Sequence, residues 1–190
     1  MLDVSLSSLL LLLSLPLVLI ACGLILLTTR RNPVLRQVRV GERGREFGML
    51  KLRTMRTEDD GRDPSPAQPG EVLVGKTLDD PRVTRIGRLL RRSSVDELPQ
   101  LLNVLGGQMS LVGPRPGLPV EVARYPRSWR RRLSVKPGLT GLWQVSGRSE
   151  VPAPRMVAMD RYYIRHRALG FDCLILLRTV ATALSMRGAW

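Results

Sequence analysis

Cysteine is scarce in this sequence, which contains two among its 190 residues. Two cysteines are too few for a disulfide scaffold of the kind that holds small secreted domains together. Cys22 lies in an apolar N-terminal run and Cys173 in a distant C-terminal one, so we do not expect them to pair. A reduced protein that faces the cytosol is the simpler interpretation.

Lysine is scarce as well, with three residues beside 27 arginines, and the formal net charge is +14. Arginine makes planar, bidentate contacts with phosphate, but an arginine-rich genome would produce the same bias. The positive charge implies an anionic partner, and nucleic acid, phosphorylated substrates and the negative inner leaflet of a membrane all qualify. Charge alone does not choose among them.

Charged residues are absent between Asp3 and Arg30, and residues 4–29 are dominated by leucine. As a helix this stretch would be about 39 Å long, enough to cross a hydrocarbon core of about 30 Å. A secretory signal peptide fits poorly, because the start lacks basic residues and no small-x-small cleavage site follows. The sequence therefore predicts a membrane segment at residues 1–29 and a single domain at residues 30–190.

The geometry of this membrane segment stays open from the residues alone. Pro16 lies in its middle, close to Ser14, where it removes a helix hydrogen bond and favours a kink. Arg30 and Arg31 follow directly, and the positive-inside rule places them in the cytoplasm. A straight span would put Met1 outside the cell, whereas a bend near Pro16 would return both ends to the cytoplasmic side.

The remainder of the chain is typical of an α+β domain that is mainly helical. Residues 34–55 alternate apolar and basic side chains around a glycine-bearing turn, which predicts a small β-hairpin. Apolar residues at helical spacing among arginines predict an amphipathic helix over residues 83–92, and amphipathic interfacial helices are expected in this domain. A second helical segment is predicted over residues 98–105. Residues 173–184 predict an apolar helix, too short to span a membrane and interrupted by Arg178. Residues 124–132 mix aromatic side chains with arginines, as segments at a membrane interface do.

Residues 70–77 satisfy the P-loop pattern G-x4-G-K-[ST], but their surroundings argue against phosphate binding. A working P-loop follows a buried strand and opens a helix, so that backbone amides hold the phosphates. Here a polar loop precedes the pattern, and Leu-Asp-Asp-Pro follows Thr77 and delays any helix. We interpret the match as a coincidence.

Asp96 and Glu97 are adjacent carboxylates a short distance downstream of Arg91. Their structural explanation is a capping box, because Ser94-x-x-Glu97 fits that pattern and acidic residues in a first helical turn complement the helix dipole. A functional explanation is compatible with it. A carboxylate at a helix N-terminus near arginines stays ionised and oriented, as attack on phosphorus requires. Phosphoryl transfer then needs positioning and charge neutralisation by arginine and by Mg²⁺, which an adjacent carboxylate can hold.

Four stretches together resemble the signature of the bacterial sugar transferase family, the small monotopic phosphoglycosyl transferases. They are residues 51–55 (KLRTM, where the family usually has Phe at the position of Leu52), 79–87 (DDPRVTRIG), 94–116 (with DELPQ and LVGPRP) and 136–148 (KPGLTGLWQVSGR). Their order and spacing match over essentially the whole chain, so the resemblance is specific.

The resemblance implies an enzyme that transfers a sugar 1-phosphate from a UDP-sugar to undecaprenyl phosphate, the first membrane step of bacterial glycan assembly. The reaction would take place at the cytoplasmic face of the inner membrane. Asp96 would be the nucleophile, forming a phosphosugar–aspartyl intermediate and releasing UMP, while Glu97 would hold Mg²⁺ and assist the acceptor. The residues implied in phosphate or nucleotide binding are Arg91, Arg115, Arg148 and, more weakly, Lys51.

The family's N-terminal segment is a re-entrant membrane insertion of helix-break-helix form, and the resemblance implies the same course here. In the family the break lies at a Ser-Pro pair. This sequence has Ser14-Leu15-Pro16, so the serine is displaced by one residue. The basic residues usual ahead of the apolar run are also missing.

Two other classes of protein share some of these features. A basic, membrane-tethered nucleic-acid binder explains the charge but neither the Asp96–Glu97 pair nor the proline-rich residues 112–119. Salt-sensitive retention on DNA would favour that class. A P-loop nucleotidase would hydrolyse ATP and lose the activity on Lys76→Ala. We expect neither, and no nucleic acid among the partners.

Overall fold

The computed structural model describes residues 2–56, 81–147 and 151–185. Within them the helices are α1 (Leu2–Thr29), α2 (Arg85–Arg92), α3 (Gln100–Leu105), α4 (Pro119–Ala123), α5 (Ala153–His166) and α6 (Leu169–Ser185). The strands are β1 (Val34–Val40), β2 (Glu46–Leu52), β3 (Ser110–Val112) and β4 (Gly138–Thr140). The predicted class, mainly helical with a small hairpin, is confirmed.

Strands β1 and β2 form the predicted hairpin. They pair antiparallel from Val34 opposite Leu52 to Val40 opposite Glu46. The connection is a short 3-10 turn, Glu42–Gly44, in which Gly44 has a φ of +76°. A left-handed backbone of this kind favours glycine, so the glycine-bearing turn seen in the sequence is what closes the hairpin.

Strands β3 and β4 join two distant motifs through a short parallel pair, which the sequence did not predict. Ser110 pairs with Gly138 and Val112 with Thr140. The two backbones approach so closely that a Cβ added to Gly138 would overlap the backbone nitrogen of Gly113. Glycine is therefore required by the close approach, and residues 110–117 and 136–141 form one structural unit.

The main core is built around α3. Its buried members are Met49, Leu101, Val104, Met109, Leu111, Val112, Tyr163 and Ile175. Met109 lies directly before β3, and the others come from β2, α3, β3, α5 and α6, so this cluster ties the hairpin to the C-terminal helices. The predicted C-terminal apolar helix is confirmed as part of α6, and on its other side Leu177 and Val180 are 71% and 61% exposed.

Helix α1 contacts the rest of the chain near both of its ends. Close to its start, Asp3 Oδ1 accepts a hydrogen bond from the backbone nitrogen of Leu111 at 3.1 Å. Towards its end, Ala21 and Ile25 are buried against β2, α2 and Val95. Both ends are thus fixed to the same domain.

A wide apolar surface of α1 is left uncovered. Leu12, Leu13 and Leu27 are 68%, 69% and 80% exposed. Among the described residues, α1 is the helix long and apolar enough to cross a membrane by length and composition. Exposed leucines on this scale are unfavourable in water and match a lipid environment, which supports the predicted membrane segment.

The predicted break at Pro16 does not divide α1. Helical backbone continues from Leu2 to Thr29 with Pro16 inside it. A proline removes one backbone donor, while the turns on both sides keep theirs, so one proline does not suffice to end a helix of 28 residues. The Ser14 hydroxyl donates to the Leu11 carbonyl at 3.3 Å, within its own turn. The expected helix-break-helix form is therefore corrected to one continuous helix.

Two residues of the segment 124–132 turn inward, which its mixture of aromatic side chains and arginines did not predict. Tyr125 and Arg132 are buried, at 5% and 4% exposure. Arg132 Nε lies 2.7 Å from Oδ2 of Asp160 on α5, and Arg132 Nη1 donates to the Tyr125 hydroxyl at 2.9 Å. An arginine is buried only with such partners, and these explain why this one turns inward while Arg131 stays exposed.

The contact between β3 and β4 predicts the cost of adding one methyl group. Gly138→Ala places a Cβ against backbone that has no room to move, so we expect a loss of about 1–3 kcal/mol in stability. The readout is the thermal unfolding midpoint of the purified protein in lipid nanodiscs. Gly170→Ala is the matched control, because a Cβ there meets nothing within 4 Å. An unchanged midpoint for Gly138→Ala would contradict the close approach.

Candidate active site

The Asp96–Glu97 pair lies in a 3-10 turn, Val95–Glu97, between α2 and α3. The chain enters this turn through Ser94, whose backbone is left-handed, with φ 58° and ψ 16°. Left-handed backbone is uncommon for a residue with a Cβ, and strained residues of this kind cluster at active sites and switch regions. Arg30 and Arg43 also have it in this chain, but Ser94 is the one that lies two positions before Asp96.

The capping-box explanation of Ser94 and Glu97 is not realised. In the described structure the Ser94 side chain makes no capping hydrogen bond. Helix α3 begins only at Gln100, after Pro99 at its N-cap position. The carboxylates therefore precede the helix instead of lying in its first turn, which corrects the expectation from the sequence.

The turn is packed between polar and apolar surroundings. Asp96 is 3% exposed, and the Glu97 side chain is 17% exposed. Val95, next to them, is buried in the cluster that contains Ala21 and Ile25 of α1. The carboxylate pair is consequently adjacent to the apolar N-terminal helix.

Arg115 supplies the positive charge at this turn. Its Nη1 donates to Glu97 Oε1 at 3.2 Å, and its side chain is 23% exposed. Burial acts to lower the pKa of Arg115, but the charges of Glu97, Asp96 and Glu121 outweigh it and hold that pKa above its ordinary value. Arg115 thus stays cationic and within electrostatic reach of both carboxylates.

Arg91 is held beside the turn by the 51–55 motif. Its Nε donates to Thr54 Oγ1 at 2.9 Å. The Thr54 carbonyl in turn accepts from the Thr84 backbone nitrogen at 3.0 Å, and a Cβ on Gly87 would overlap that carbonyl oxygen. The start of α2 is thereby fixed on Thr54, and its last turn carries Arg91 three residues before Ser94.

Lys51 lies on β2, the strand that contacts the Val95–Glu97 turn. Its Nζ donates to Gln37 Oε1 at 2.9 Å, and the same oxygen accepts from Arg39 Nη2 at 2.7 Å. The structure therefore pairs Arg115 with Glu97, next to Asp96, and places α2, which carries Arg91, and the strand of Lys51 in contact with the same turn. Arg148 and the P-loop-like residues 70–77 lie outside the described residues.

The Pro-Arg-Pro segment is fixed through its carbonyl groups. Each carbonyl from residue 114 to residue 117 accepts a hydrogen bond from another part of the chain. The pairs are Gly138 N to Pro114 O (2.9 Å), Arg132 Nη2 to Arg115 O (3.2 Å), Arg39 Nη1 to Pro116 O (3.4 Å) and Val40 N to Gly117 O (2.9 Å). The sequence did not single out the two donors Arg39 and Arg132, since no local pattern separates them from their exposed neighbours.

Arg132 itself depends on Asp160. Burial raises the pKa of Asp160 to about 6, although the charge and hydrogen bond of Arg132 act to lower it. At neutral pH the carboxylate is therefore ionised and paired. Asp160 is a third residue that the sequence did not indicate, because it lies on α5, far along the chain.

A magnesium ion would find few protein ligands here. Among the described residues no group of three or more His, Cys, Asp or Glu side chains is placed to hold a metal. Mg²⁺ in phosphoryl-transfer sites commonly takes one or two carboxylates, with substrate phosphates and water completing its shell. The Asp96–Glu97 pair fits that donor set, with Glu97 as the candidate ligand.

The chain is similar to one family and to several known proteins. The family model described as bacterial sugar transferase matches residues 1–186. The UDP-glucose:undecaprenyl-phosphate glucose-1-phosphate transferase of Caulobacter vibrioides is 44% identical, and the alignment covers 100% of this chain and 70% of that relative. The exopolysaccharide production protein ExoY of Sinorhizobium fredii is 39% identical, with 92% of this chain and 80% of the relative covered. The UDP-galactose-lipid carrier transferase of Erwinia amylovora is 42% identical over 83% of this chain, which spans 34% of that protein.

The left-handed backbone of Ser94 predicts the effect of a glycine. Ser94→Gly removes a steric cost of about 1–2 kcal/mol and adds a smaller entropic one, so a net gain of about 0.5–1 kcal/mol is expected. The thermal midpoint in nanodiscs should rise. Ser93→Gly is the control: Ser93 has a right-handed backbone and donates to Leu89, so its midpoint should fall. A fall for Ser94→Gly as well would exclude the strained turn.

Proposed function

This chain belongs to the bacterial sugar transferase family, and from that premise we propose that it transfers a sugar 1-phosphate from a UDP-sugar to undecaprenyl phosphate. The products would be UMP and undecaprenyl-diphosphate-sugar. The names of the Caulobacter and Erwinia relatives support the two substrates. The observation that carries the proposal is that Asp96 is buried next to Glu97, and that Glu97 forms a salt bridge of 3.2 Å with Arg115.

In the first half of the proposed reaction, a carboxylate oxygen of Asp96 attacks the sugar-bearing phosphorus of the donor. A bond forms between that oxygen and phosphorus, and the bond from phosphorus to UMP breaks, with UMP taking the electron pair. Asp96 suits this role because a carboxylate is nucleophilic without losing a proton. Arg115 and Arg91 are the residues proposed to neutralise charge on the diphosphate, which their positions at the turn and at the end of α2 support.

In the second half, a phosphate oxygen of the polyprenol acceptor attacks the same phosphorus, and the bond to Asp96 breaks. The Asp96 carboxylate is thereby restored. Glu97 is the residue proposed to hold Mg²⁺ and to accept a proton from the acceptor phosphate. When bound, Mg²⁺ would neutralise charge on the donor's diphosphate. A donor phosphate offers Arg115 the same kind of partner that Glu97 offers it now.

The proposed location is the cytoplasmic face of the bacterial inner membrane. The exposed leucines of α1 support lipid contact, and Arg30 and Arg31 directly after it support a cytoplasmic end. The bond between Asp3 and Leu111 supports placing the other end of α1 at the same face, because Leu111 belongs to the domain. A lipid-linked phosphate in that leaflet would lie beside the Val95–Glu97 turn.

Replacing the proposed nucleophile should abolish the reaction. Asp96→Asn substitutes an amide, a very poor nucleophile, so UMP release should fall by at least about a thousand-fold. The assay measures UMP from a panel of UDP-sugars, with Mg²⁺ and undecaprenyl phosphate in nanodiscs. The wild-type panel also identifies the donor. A donor labelled in its sugar-bearing phosphate should leave label on the wild-type protein when the acceptor is omitted, and none on Asp96→Asn.

Asp172→Asn is the matched control for this experiment. Asp172 accepts a hydrogen bond from the Tyr163 hydroxyl at 2.8 Å, and an amide oxygen can still accept it. Turnover near the wild-type level is expected for this variant. If Asp96→Asn turned over at a comparable rate, Asp96 would not be the nucleophile.

Removing the cation at the turn should slow transfer without unfolding the protein. Arg115→Ala deletes a preorganised positive charge, a change that typically costs about 10²- to 10³-fold in turnover. Arg127→Ala is the control: it deletes an exposed arginine that follows helix α4, and it should leave turnover unchanged. The measurements are the UMP-release rate at saturating donor and the thermal midpoint. Equal rates for the two variants would remove Arg115 from the site.

A further inference from the structure

The backbone of Arg115 depends on hydrogen bonds from side chains. Two prolines flank it, so the segment 114–116 has only one backbone N–H, that of Arg115 itself. Pairing with a neighbouring strand through alternating donors and acceptors is therefore not available to it. Its carbonyls accept instead, and the carbonyl of Arg115 is the one bound by Arg132.

Arg132 is oriented by three partners, each on a different nitrogen. Nε faces Asp160 at 2.7 Å, Nη1 donates to the Tyr125 hydroxyl at 2.9 Å, and Nη2 donates to the Arg115 carbonyl at 3.2 Å. The first contact is an ion pair and the other two are hydrogen bonds. A planar guanidinium held in this way cannot rotate without losing at least one of the three contacts. Arg132 thereby links the carbonyl of Arg115 to Asp160, and so to helix α5.

A small cavity lies beside the segment, and Gly41, Arg115, Tyr125 and Arg132 are among the residues that line it. Burying an ion pair such as Arg132–Asp160 adds little net stability compared with apolar residues of similar volume. What the pair provides is a defined orientation of the Arg132 guanidinium.

We propose that Arg132, oriented by Asp160, is a positioning residue for the transfer reaction. It holds the backbone of Arg115 so that the Arg115 guanidinium stays at Glu97, where the donor's diphosphate would bind. Neither Arg132 nor Asp160 touches the reacting atoms in this account. The consequence for transfer rests on the proposed function, whereas the effect on Arg115 does not.

The first test observes Arg115 directly. Protein labelled with nitrogen-15 arginine, in nanodiscs, should give an Arg115 side-chain signal that is assigned by its loss in Arg115→Lys. In the wild type its guanidinium rotation should be slow. Arg132→Lys keeps a charge opposite Asp160 but presents all donors from one nitrogen, so Arg115 should rotate freely. The Arg91 signal, held by Thr54, is the internal control and should not change.

The second test is a double-mutant cycle on turnover. Arg132→Lys should lower the rate at saturating donor by about 10- to 100-fold when Arg115 is present, as expected for a misplaced binding group. In the Arg115→Ala background the same change should lower it by less than about threefold, because coupled residues do not act additively. A merely structural role would reduce both backgrounds equally.

Tyr163→Phe is the matched destabilising control. Tyr163 is buried on α5, one turn from Asp160, and its hydroxyl bonds Asp172 and Val112 rather than Arg115. It should lower the thermal midpoint and leave the Arg115 signal unchanged. Any loss of turnover should be the same factor with Arg115 present and in the Arg115→Ala background. Should Arg132→Lys fold poorly, Arg132→Met with Asp160→Leu replaces the ion pair by apolar volume and is expected to free Arg115 likewise.

The outcomes separate the two proposals. An Arg115 signal that stays slow in Arg132→Lys, or equal rate losses in both backgrounds, would overturn the positioning role. A wild-type protein that releases no UMP from any donor would overturn the proposed function, and the arginine signals would still decide whether Arg132 positions Arg115.

Discussion

Two adjacent carboxylates in a largely dry turn repel each other, and the arrangement of this site depends on offsetting that repulsion. Asp96 is almost fully buried, so water screens it poorly, and a neighbouring positive charge is needed to offset the repulsion. Arg115 provides it from the Pro-Arg-Pro segment, and its raised pKa reflects the same attraction. The neighbouring parts of the fold serve to bring this cation to the carboxylates and to hold it there.

The four sequence motifs are connected by backbone contacts that explain why they occur together. The 51–55 motif supports α2 through Thr54, and α2 leads into the turn that carries Asp96. The 136–148 motif supports the Pro-Arg-Pro segment through the close approach of Gly113 and Gly138. The 51–55 motif therefore supports the part of the site that carries Asp96, and the 136–148 motif supports the part that carries Arg115.

The sequence predicted the elements whose signals are local. The hairpin followed from alternation around a glycine turn, and α2, α3 and α6 followed from helical spacing. The continuous course of α1 through Pro16 was not predicted, because the position of a proline in the sequence does not show whether the helical turns on both sides of it stay intact. The left-handed Ser94 carries no local signal either. The β3–β4 pair joins three-residue strands far apart in the chain, and Arg132 and Asp160 meet only in the fold, so neither followed from the residues. The catalytic assignment of Asp96 and its neighbours came from a resemblance, and the structure adds their proximity.

The hydrogen bond from Leu111 to Asp3 has a mechanical consequence. Leu111 belongs to β3, and the chain continues from that strand into the segment that carries Arg115. The opposite end of α1 packs against Val95, one residue before Asp96. On the proposed membrane arrangement, α1 cannot tilt or sink relative to the bilayer without carrying both the carboxylates and their cation along. On that arrangement, the depth of the reacting groups in the lipid would be set by these contacts with α1 and not by the thickness of the surrounding membrane.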